Sequence, residues 1–178
     1  MTAEIFVDTS GWFPLVDPSD PHHAAVSQTV RKQVAHGVRL VTTNLIVAET
    51  YVLLLRRADR NTALAFLEQV DRRPNLVIRS TEDLERRAEH QWLRRFQDQA
   101  FSLSDAVSFA VMKERGIQTA LTLDRHFATA GFQILPHRPN SIAGRAREPL
   151  PTYGEGGSVP DVDLDDSAAL LDAMDEDA

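Results

Sequence analysis

The stretch EIFVDTSGW, residues 4–12, places an aspartate directly after a short apolar run. Ile5, Phe6 and Val7 are consecutive apolar residues, which is typical of a strand covered on both faces in a parallel sheet. Asp8 follows at once, and ligands of open α/β sheets bind outside the carboxyl ends of the strands. Aspartate is also a favoured helix N-cap. The stretch therefore predicts a buried strand that ends in either a helix cap or a site residue.

Four further apolar runs follow, separated by segments of helical length. They are RLVTT, NLVIR, QTALTL and FQIL. This alternation predicts an α/β fold with a central, largely parallel sheet. The apolar spacing predicts helices over residues 21–36, 44–58, 61–72, 81–96 and 104–115, with a short helix after Asp124.

The composition predicts one folded domain followed by a linker and a tail. A chain of 178 residues with 43% hydrophobic content is long enough for one ordinary core. Residues 136–160 hold five of the nine prolines and four of the eight glycines, a density that is incompatible with a regular element. We therefore expect a domain over residues 1–138, a linker over 139–160 and an acidic tail over 161–178, which is too poor in apolar residues to order alone.

Charge and cysteine content narrow the function classes. The chain has no cysteine, which excludes disulfides, thiolate zinc sites and a cysteine nucleophile. All 19 Lys and Arg residues lie at or before Arg147, and 10 of the 26 acids lie from Glu148 onward, so the first 147 residues carry +3 and the remainder −10. A mildly basic body is compatible with a nucleic-acid partner. With no signal peptide pattern and no long apolar run, we expect a cytoplasmic protein that does not enter a membrane.

Glu49 is the most anomalous acid in the sequence. In NLIVAETYVLLLRR it shares a helix face with Leu45, Ile46 and Val52, so the pattern predicts a carboxylate within an apolar stripe. An unpaired buried carboxylate would be very costly. A salt bridge with Arg56 is the alternative, but seven residues span about 10.5 Å of helix. A metal-ligand role is favoured.

Asp105 and Asp124 each have a structural and a functional interpretation. Ser102 and Asp105, in FSLSDAVSF, have the spacing of a capping box. Asp124 follows the strand QTALTL and could simply cap the next helix. In a parallel sheet with right-handed crossovers, however, the strand ends that carry Asp8 and Asp124 share one edge. Converging carboxylates repel one another and require a cation, and oxygen ligands favour magnesium or manganese over zinc.

Four blocks of the chain resemble the signature blocks of PIN domains, and among these VapC toxins. They are DTSGW, the glutamate of TTNLIVAET, the aspartate of LSDAVSFAVMKERG, and TLDRHF, and the resemblance runs from about Ile5 to Leu135. It implies a three-layer α/β/α domain that cuts RNA with magnesium or manganese, acts as a homodimer and is inhibited by an antitoxin protein. Asp8, Glu49, Asp105 and Asp124 match the acidic quartet by position, as catalytic residues and metal ligands.

Other residues in these blocks have weaker cases. Thr9 or Ser10 matches a small hydroxyl position beside the first acid, and Thr122 matches a small polar position that is commonly just a strand former. Basic residues near the blocks could contact phosphates. They are Arg56, Arg57, Arg125 and His126.

Three rival functions stay open at this point. A PIN module could bind RNA as a non-catalytic scaffold, or act as an RNA-processing nuclease without an antitoxin. An aspartyl-phosphate phosphatase would carry a second aspartate two residues after the first, where this chain has Ser10. The identity of the RNA is not predictable, because target choice depends on surface shape and on an accessible loop.

Overall fold

Five parallel strands form the centre of the fold, which the computed structural model describes for residues 3–136. The strands are β1 (Glu4–Val7), β2 (Arg39–Thr43), β3 (Asn75–Ile78), β4 (Thr119–Leu121) and β5 (Gln133–Leu135). They lie in the order β3-β2-β1-β4-β5, and every neighbouring pair is parallel. All five predicted strands are confirmed. The predicted linker and acidic tail lie outside the described residues.

Seven α-helices connect and flank these strands. They are α1 (Thr9–Val16), α2 (His23–Ala35), α3 (Asn44–Arg57), α4 (Arg60–Val70), α5 (Glu82–Ala88), α6 (Leu103–Arg115) and α7 (Arg125–Thr129). All the segments predicted as helical contain helix. α1 is additional, and segment 81–96 is not one α-helix, because α5 passes into a π-helical turn at Glu89–Leu93. None of the helices within residues 3–136 is long and apolar enough to cross a membrane.

The helices form two groups, one on each face of the sheet. From β1 to β3 the chain moves toward one edge, and the helices passed on the way, α1 to α4, pack against one another. It then returns past β1 to β4, and α5, the π-helical turn and α6 pack together, with α7 against α6. Because crossovers are right-handed, reversing the direction moves the helices to the opposite face. The predicted α/β fold with a parallel sheet is confirmed.

Gly11 allows α1 to approach the sheet closely. A Cβ at this position would lie 2.4 Å from the carbonyl oxygen of Leu121, at the end of β4. No side chain fits such a separation, so glycine is required for the contact. The strand residues beneath, Phe6, Val7 and Leu121, are fully buried in the core. This close approach sets the residues that follow β1 directly beside those that follow β4.

Candidate metal centre

Four acidic side chains stand at the carboxyl edge of the sheet, each associated with the start of a helix. β1 and β4 are neighbours at the centre, and the chain leaves them in opposite directions. Such a switch point is where open α/β sheets bind ligands. Asp8 precedes α1, Glu49 lies in the second turn of α3, Asp105 lies in the first turn of α6, and Asp124 precedes α7.

Asp8 is buried at the end of β1, with 5% of its surface exposed. Its Oδ2 accepts hydrogen bonds from the backbone N of Ser10 (3.2 Å), the Oγ of Ser10 (2.8 Å) and the Oγ1 of Thr122 (3.0 Å). Burial raises the pKa of Asp8, and these hydrogen bonds to the ionised form oppose the shift. Asp8 therefore caps α1, as the structural interpretation predicts, and it is also a buried acid that is costly to ionise without a cation.

Two hydroxyl groups connect the end of β1 to the turn after β4. Ser10 Oγ and Thr122 Oγ1 lie 2.9 Å apart. Ser10 Oγ accepts a hydrogen bond from the backbone N of Leu123 (2.8 Å), and Thr122 Oγ1 accepts one from the backbone N of Asp124 (3.0 Å). Thr122 is more than the strand former that the sequence suggests, because it contacts one acid through its carboxylate and another through its backbone.

Asp105 combines a helix cap with a buried position, with 9% of its surface exposed. Ser102 Oγ accepts a hydrogen bond from the backbone N of Asp105 (3.1 Å), and Asp105 Oδ2 accepts one from the backbone N of Ser102 (2.9 Å). This is the reciprocal capping box that the sequence spacing predicts. The Asp105 carboxylate is consequently held in one orientation by its own backbone.

The burial predicted for Glu49 is wrong. The buried stripe of α3 consists of Ile46, Thr50 and Leu54, and Glu49 lies outside it at the surface. Val52, placed on the same buried face by the sequence pattern, is 44% exposed. The reason is that α3 packs against the core through Ile46, Thr50 and Leu54 and the half-buried residues beside them, so that the face carrying Glu49 and Val52 points to solvent.

The Glu49 carboxylate nevertheless reaches the other acids. Ser104 Oγ donates a hydrogen bond to Glu49 Oε2 (3.2 Å), which joins α3 to the first turn of α6. Partial burial of the carboxyl group, and then the negative charges of Asp8 and Asp105, raise the pKa of Glu49. Solvent weakens these effects because the side chain is largely exposed. Among residues 3–136, no ion pair joins Glu49 to Arg56.

Asp124 and His126 lie beside Asp105 at the start of α7. Asp124 Oδ1 accepts a hydrogen bond from the backbone N of His126 (2.8 Å) and so caps the helix. His126 Nδ1 lies 3.3 Å from Asp124 Oδ2 and 3.6 Å from Asp105 Oδ2. One possible ligand atom from each of these three residues lies within 4.8 Å of the other two. From the sequence, His126 was predicted only as a phosphate contact. Its place two residues after an N-cap aspartate was the available signal.

The basic residues suggested as phosphate contacts divide into two groups. Arg125 is exposed at the start of α7, next to the acids. Arg56 and Arg57 end α3, a helix of 14 residues that begins at the carboxyl edge of the sheet. At 1.5 Å per residue its last turn lies about 20 Å from that edge. The structure therefore does not bring Arg56 and Arg57 to the acidic cluster.

The chemistry of these donors fits a divalent cation. Three of the acids, Asp8, Asp105 and Asp124, are N-caps or part of a capping box. The pKa of the fourth, Glu49, is raised by the negative charges of Asp8 and Asp105. Carboxylate oxygens are the ligands that hard divalent ions prefer. His126 Nδ1 is buried and has no hydrogen-bond partner within residues 3–136. A cation would reduce the repulsion between the acids and would give the unpartnered nitrogen a partner.

Comparison with known proteins shows similarity over most of the described region. The family model of the PIN domain matches residues 5–133. The 23S rRNA-specific endonuclease VapC20 of Mycobacterium tuberculosis is 37% identical over 131 residues, which cover 72% of this chain and 95% of that protein. Ribonuclease VapC26 of the same species is 29% identical over 126 residues, covering 70% of this chain and 90% of the relative.

Solved structures show the same fold. The crystal structure of Mycobacterium tuberculosis VapC20, described as a sarcin-ricin loop cleaving toxin, matches with a TM-score of 0.64 and 36% identity, covering 72% of this chain and 95% of that chain. VapBC2 from Rickettsia felis, solved with a promoter DNA fragment, matches with a TM-score of 0.56 and 9% identity, covering 74% and 96%. The second likeness supports the fold alone.

Proposed function

This chain belongs to the PIN domain family, and we propose that it is a divalent-metal-dependent endoribonuclease, the toxin of a VapC-type toxin-antitoxin pair. The observation that carries the proposal is the set of acidic side chains at the switch point of the sheet, where ligand atoms of Asp105, Asp124 and His126 lie within 4.8 Å of one another, in a chain whose relatives are named as ribonucleases. Asp8, Glu49, Asp105 and Asp124 are proposed as the catalytic and metal-binding residues, with magnesium or manganese as the ion.

The side chains of the site have distinct tasks in hydrolysis of a phosphodiester. Asp8 is oriented by three hydrogen bonds and Asp105 by its capping box, so both are held in place before substrate arrives. Glu49 reaches the site from mid-helix, and its raised pKa suits a group that accepts a proton from the attacking water. A bound divalent ion supplies activation of that water and neutralises charge in the transition state.

The relative named as a 23S rRNA-specific endonuclease makes ribosomal RNA the first substrate to test. A net charge of +3 on the first 147 residues supports binding of the phosphate backbone. Arg125, exposed next to the acids, is the basic side chain best placed to contact a phosphate.

An antitoxin is the proposed protein partner, and the chain is expected to act as a homodimer in the cytoplasm. Large apolar side chains are exposed on α3 and α4, namely Val52, Leu55 and Leu64. A contiguous exposed apolar patch commonly marks a protein interface, and these side chains are the candidates for one. A small reading frame for an antitoxin next to this gene would support a toxin-antitoxin pair, and its absence would favour an RNA-processing nuclease.

The experiment that tests the proposed activity is cleavage of 23S rRNA by the full chain. We expect cleavage with magnesium or manganese, no cleavage with EDTA, and a loss of at least about 100-fold in Asp8→Asn, as for removal of one preorganised transition-state contact. Asp59→Asn, an exposed N-cap on α4, is the matched control and should cleave normally. Ribosomal and total RNA left intact at high protein concentration would favour the non-catalytic scaffold.

A further inference from the structure

A nitrogen donor faces the acidic cluster at the start of α7. His126 Nδ1 is buried and lacks a hydrogen-bond partner in the described part of the chain. Two carboxylate oxygens are close, at 3.3 Å on Asp124 and 3.6 Å on Asp105, yet neither makes a hydrogen bond with it. Buried polar atoms without partners are rare, so this one requires an explanation.

The imidazole ring of His126 is fixed by packing. Phe101 meets it edge to face, with ring centroids 5.3 Å apart and an interplanar angle of 83°. Phe101 is itself buried and directly precedes Ser102, whose capping box orients Asp105. One short backbone segment therefore positions both the Asp105 carboxylate and the imidazole. Such preorganisation is what a binding site requires of its ligands.

We propose that His126 Nδ1 is a ligand of the divalent ion, together with Asp105 and Asp124, and that it makes the site prefer manganese over magnesium. Adjacent ligands of an octahedral ion at about 2.1 Å lie about 3.0 Å apart, close to the separations of 3.3 and 3.6 Å seen here. Manganese shares with magnesium a preference for carboxylate and water oxygen, but it belongs to the first-row series whose members also bind sites with nitrogen ligands, whereas magnesium is bound through oxygen. The inference rests on the proposed function, because it adds a ligand to that same metal site.

The geometry favours metal ligation over the other roles open to His126. A phosphate contact through Nδ1 would require that nitrogen to be exposed, and it is buried. A simple ion pair would place the N–H along the line to one carboxylate oxygen and would form a hydrogen bond. When Nδ1 is the unprotonated nitrogen of a neutral imidazole, its lone pair close to two carboxylate oxygens is repulsive unless a cation lies among them. The shared ion accounts for the burial, the missing hydrogen bond and the two similar distances.

The test measures metal binding in the absence of RNA. The full chain is titrated with Mn²⁺ by electron paramagnetic resonance and with Mg²⁺ by calorimetry, and pulsed spectra of the Mn²⁺ form are searched for a coupled nitrogen. His126→Phe keeps the ring against Phe101 and removes the nitrogen. His36→Phe is the matched control, since His36 is exposed at the end of α2, just before β2 begins, at the opposite edge of the sheet.

We expect nitrogen coupling in the wild-type chain and in His36→Phe, and none in His126→Phe. Affinity for Mn²⁺ should fall at least about tenfold in His126→Phe, the lower end of the loss seen even for outer-shell partners, while affinity for Mg²⁺ should change by less than about threefold. His126→Asn provides a second variant without the ring nitrogen. Unfolding curves in EDTA check that both variants fold.

The outcomes separate this inference from the proposed function. Tight Mn²⁺ binding without nitrogen coupling in the wild-type chain would overturn the ligand assignment and leave the ribonuclease proposal standing. Equal losses of Mn²⁺ and Mg²⁺ affinity in His126→Phe would also overturn it, because they indicate a packing role. If the wild-type chain binds neither ion and cleaves RNA in EDTA, the proposed metal site itself is wrong.

Discussion

Replacing Asp124 by asparagine is expected to stabilise the metal-free protein and to reduce strongly its stabilisation by metal. Asparagine keeps a side-chain oxygen that accepts the hydrogen bond from the backbone N of His126, so α7 keeps its cap. Asn and Asp are equally good N-caps. The substitution removes one negative charge next to Asp105. The change in the free energy of unfolding therefore reports repulsion between charges.

The magnitude follows from the separation of the ligand atoms, which lie within 4.8 Å of one another. Two unit charges at that distance repel by about 3.5 kcal/mol at an effective dielectric of 20 and by about 0.9 kcal/mol in bulk water. The Asp124 side chain is 37% exposed, so solvent screening favours the lower part of this range. We expect a gain of roughly 1 to 2 kcal/mol, which raises the melting temperature by about 3 to 8 °C.

The assay is thermal unfolding followed by circular dichroism in EDTA at pH 8, where an ordinary imidazole is neutral, and then with Mn²⁺. At 100 times the dissociation constant, the wild-type protein should gain about 2.7 kcal/mol, and Asp124→Asn much less. Asp59→Asn is the control. The hydrogen bonds that Asp59 accepts lower the pKa of this carboxyl group, which means that its negative charge stabilises the fold. That variant should melt no higher than the wild type and keep the full metal response.

Salt provides a check on the cause of the gain. Repulsion between partly exposed charges is screened, since the Debye length falls to about 3 Å at 1 M salt. The advantage of Asp124→Asn in EDTA should therefore shrink as salt is added. An Asp124→Asn protein that melts below the wild type in EDTA, or that responds to Mn²⁺ as fully as the wild type, would refute the reasoning.

Three further predictions concern the surroundings of the acids. Thr122→Val removes two hydrogen bonds and should lower the free energy of unfolding, measured in urea, by about 2 kcal/mol. Thr122→Ser is a milder variant. An unchanged urea midpoint in Thr122→Val would show that these hydrogen bonds do not stabilise the fold. Burial raises the pKa of Asp8, and burial with neighbouring charge raises the pKa of Glu49, so folding favours the protonated forms of both acids. Above about pH 5, where acids with a lowered pKa are already ionised, the free energy of unfolding in EDTA should therefore fall as the pH rises through the raised pKa values. Asp8→Asn should flatten that decline. Gly11→Ala places a Cβ 2.4 Å from the carbonyl oxygen of Leu121. It should lower the free energy of unfolding, measured by chemical denaturation, by about 1 to 3 kcal/mol. A variant as stable as the wild type would mean that α1 can move away from the sheet freely.

The sheet could be predicted from the sequence because each strand is an apolar run between segments of helical length. Two features were not predicted in full, although a helix cap at Asp8 was one of the interpretations of the sequence. α1 is an eight-residue helix that contains Pro14, and its place depends on Gly11 lying against β4, which is a contact between distant parts of the chain. The π-helical turn at Glu89–Leu93 has no simple residue pattern. Local patterns identify elements, but they do not report which elements touch.

For the candidate site, the structure places the four predicted acids at one edge of the sheet, but the physical reason that the sequence offered for Glu49 is wrong. Glu49 was selected because an apolar helix face implies burial, and the structure places it at the surface. Its proximity to Asp8 and Asp105 comes from the packing of α3 beside α1 and the hydrogen bond from Ser104. His126 was missed as a possible ligand because its neighbours include Asp105, which precedes it by 21 residues and belongs to another helix.

Capping and metal binding were treated from the sequence as rival roles for three of the acids, and the geometry of Asp124 makes them compatible in that residue. A carboxylate has two oxygens. In Asp124, Oδ1 caps α7 while Oδ2 faces His126. Each cap is a hydrogen bond to the carboxylate, which favours the charged form that a metal ligand needs. The caps thus offset part of the repulsion that gathering the acids creates. Glu49, which has no cap, is the member whose pKa is raised while its side chain stays exposed, and this suits it to exchange a proton while the others hold the ion.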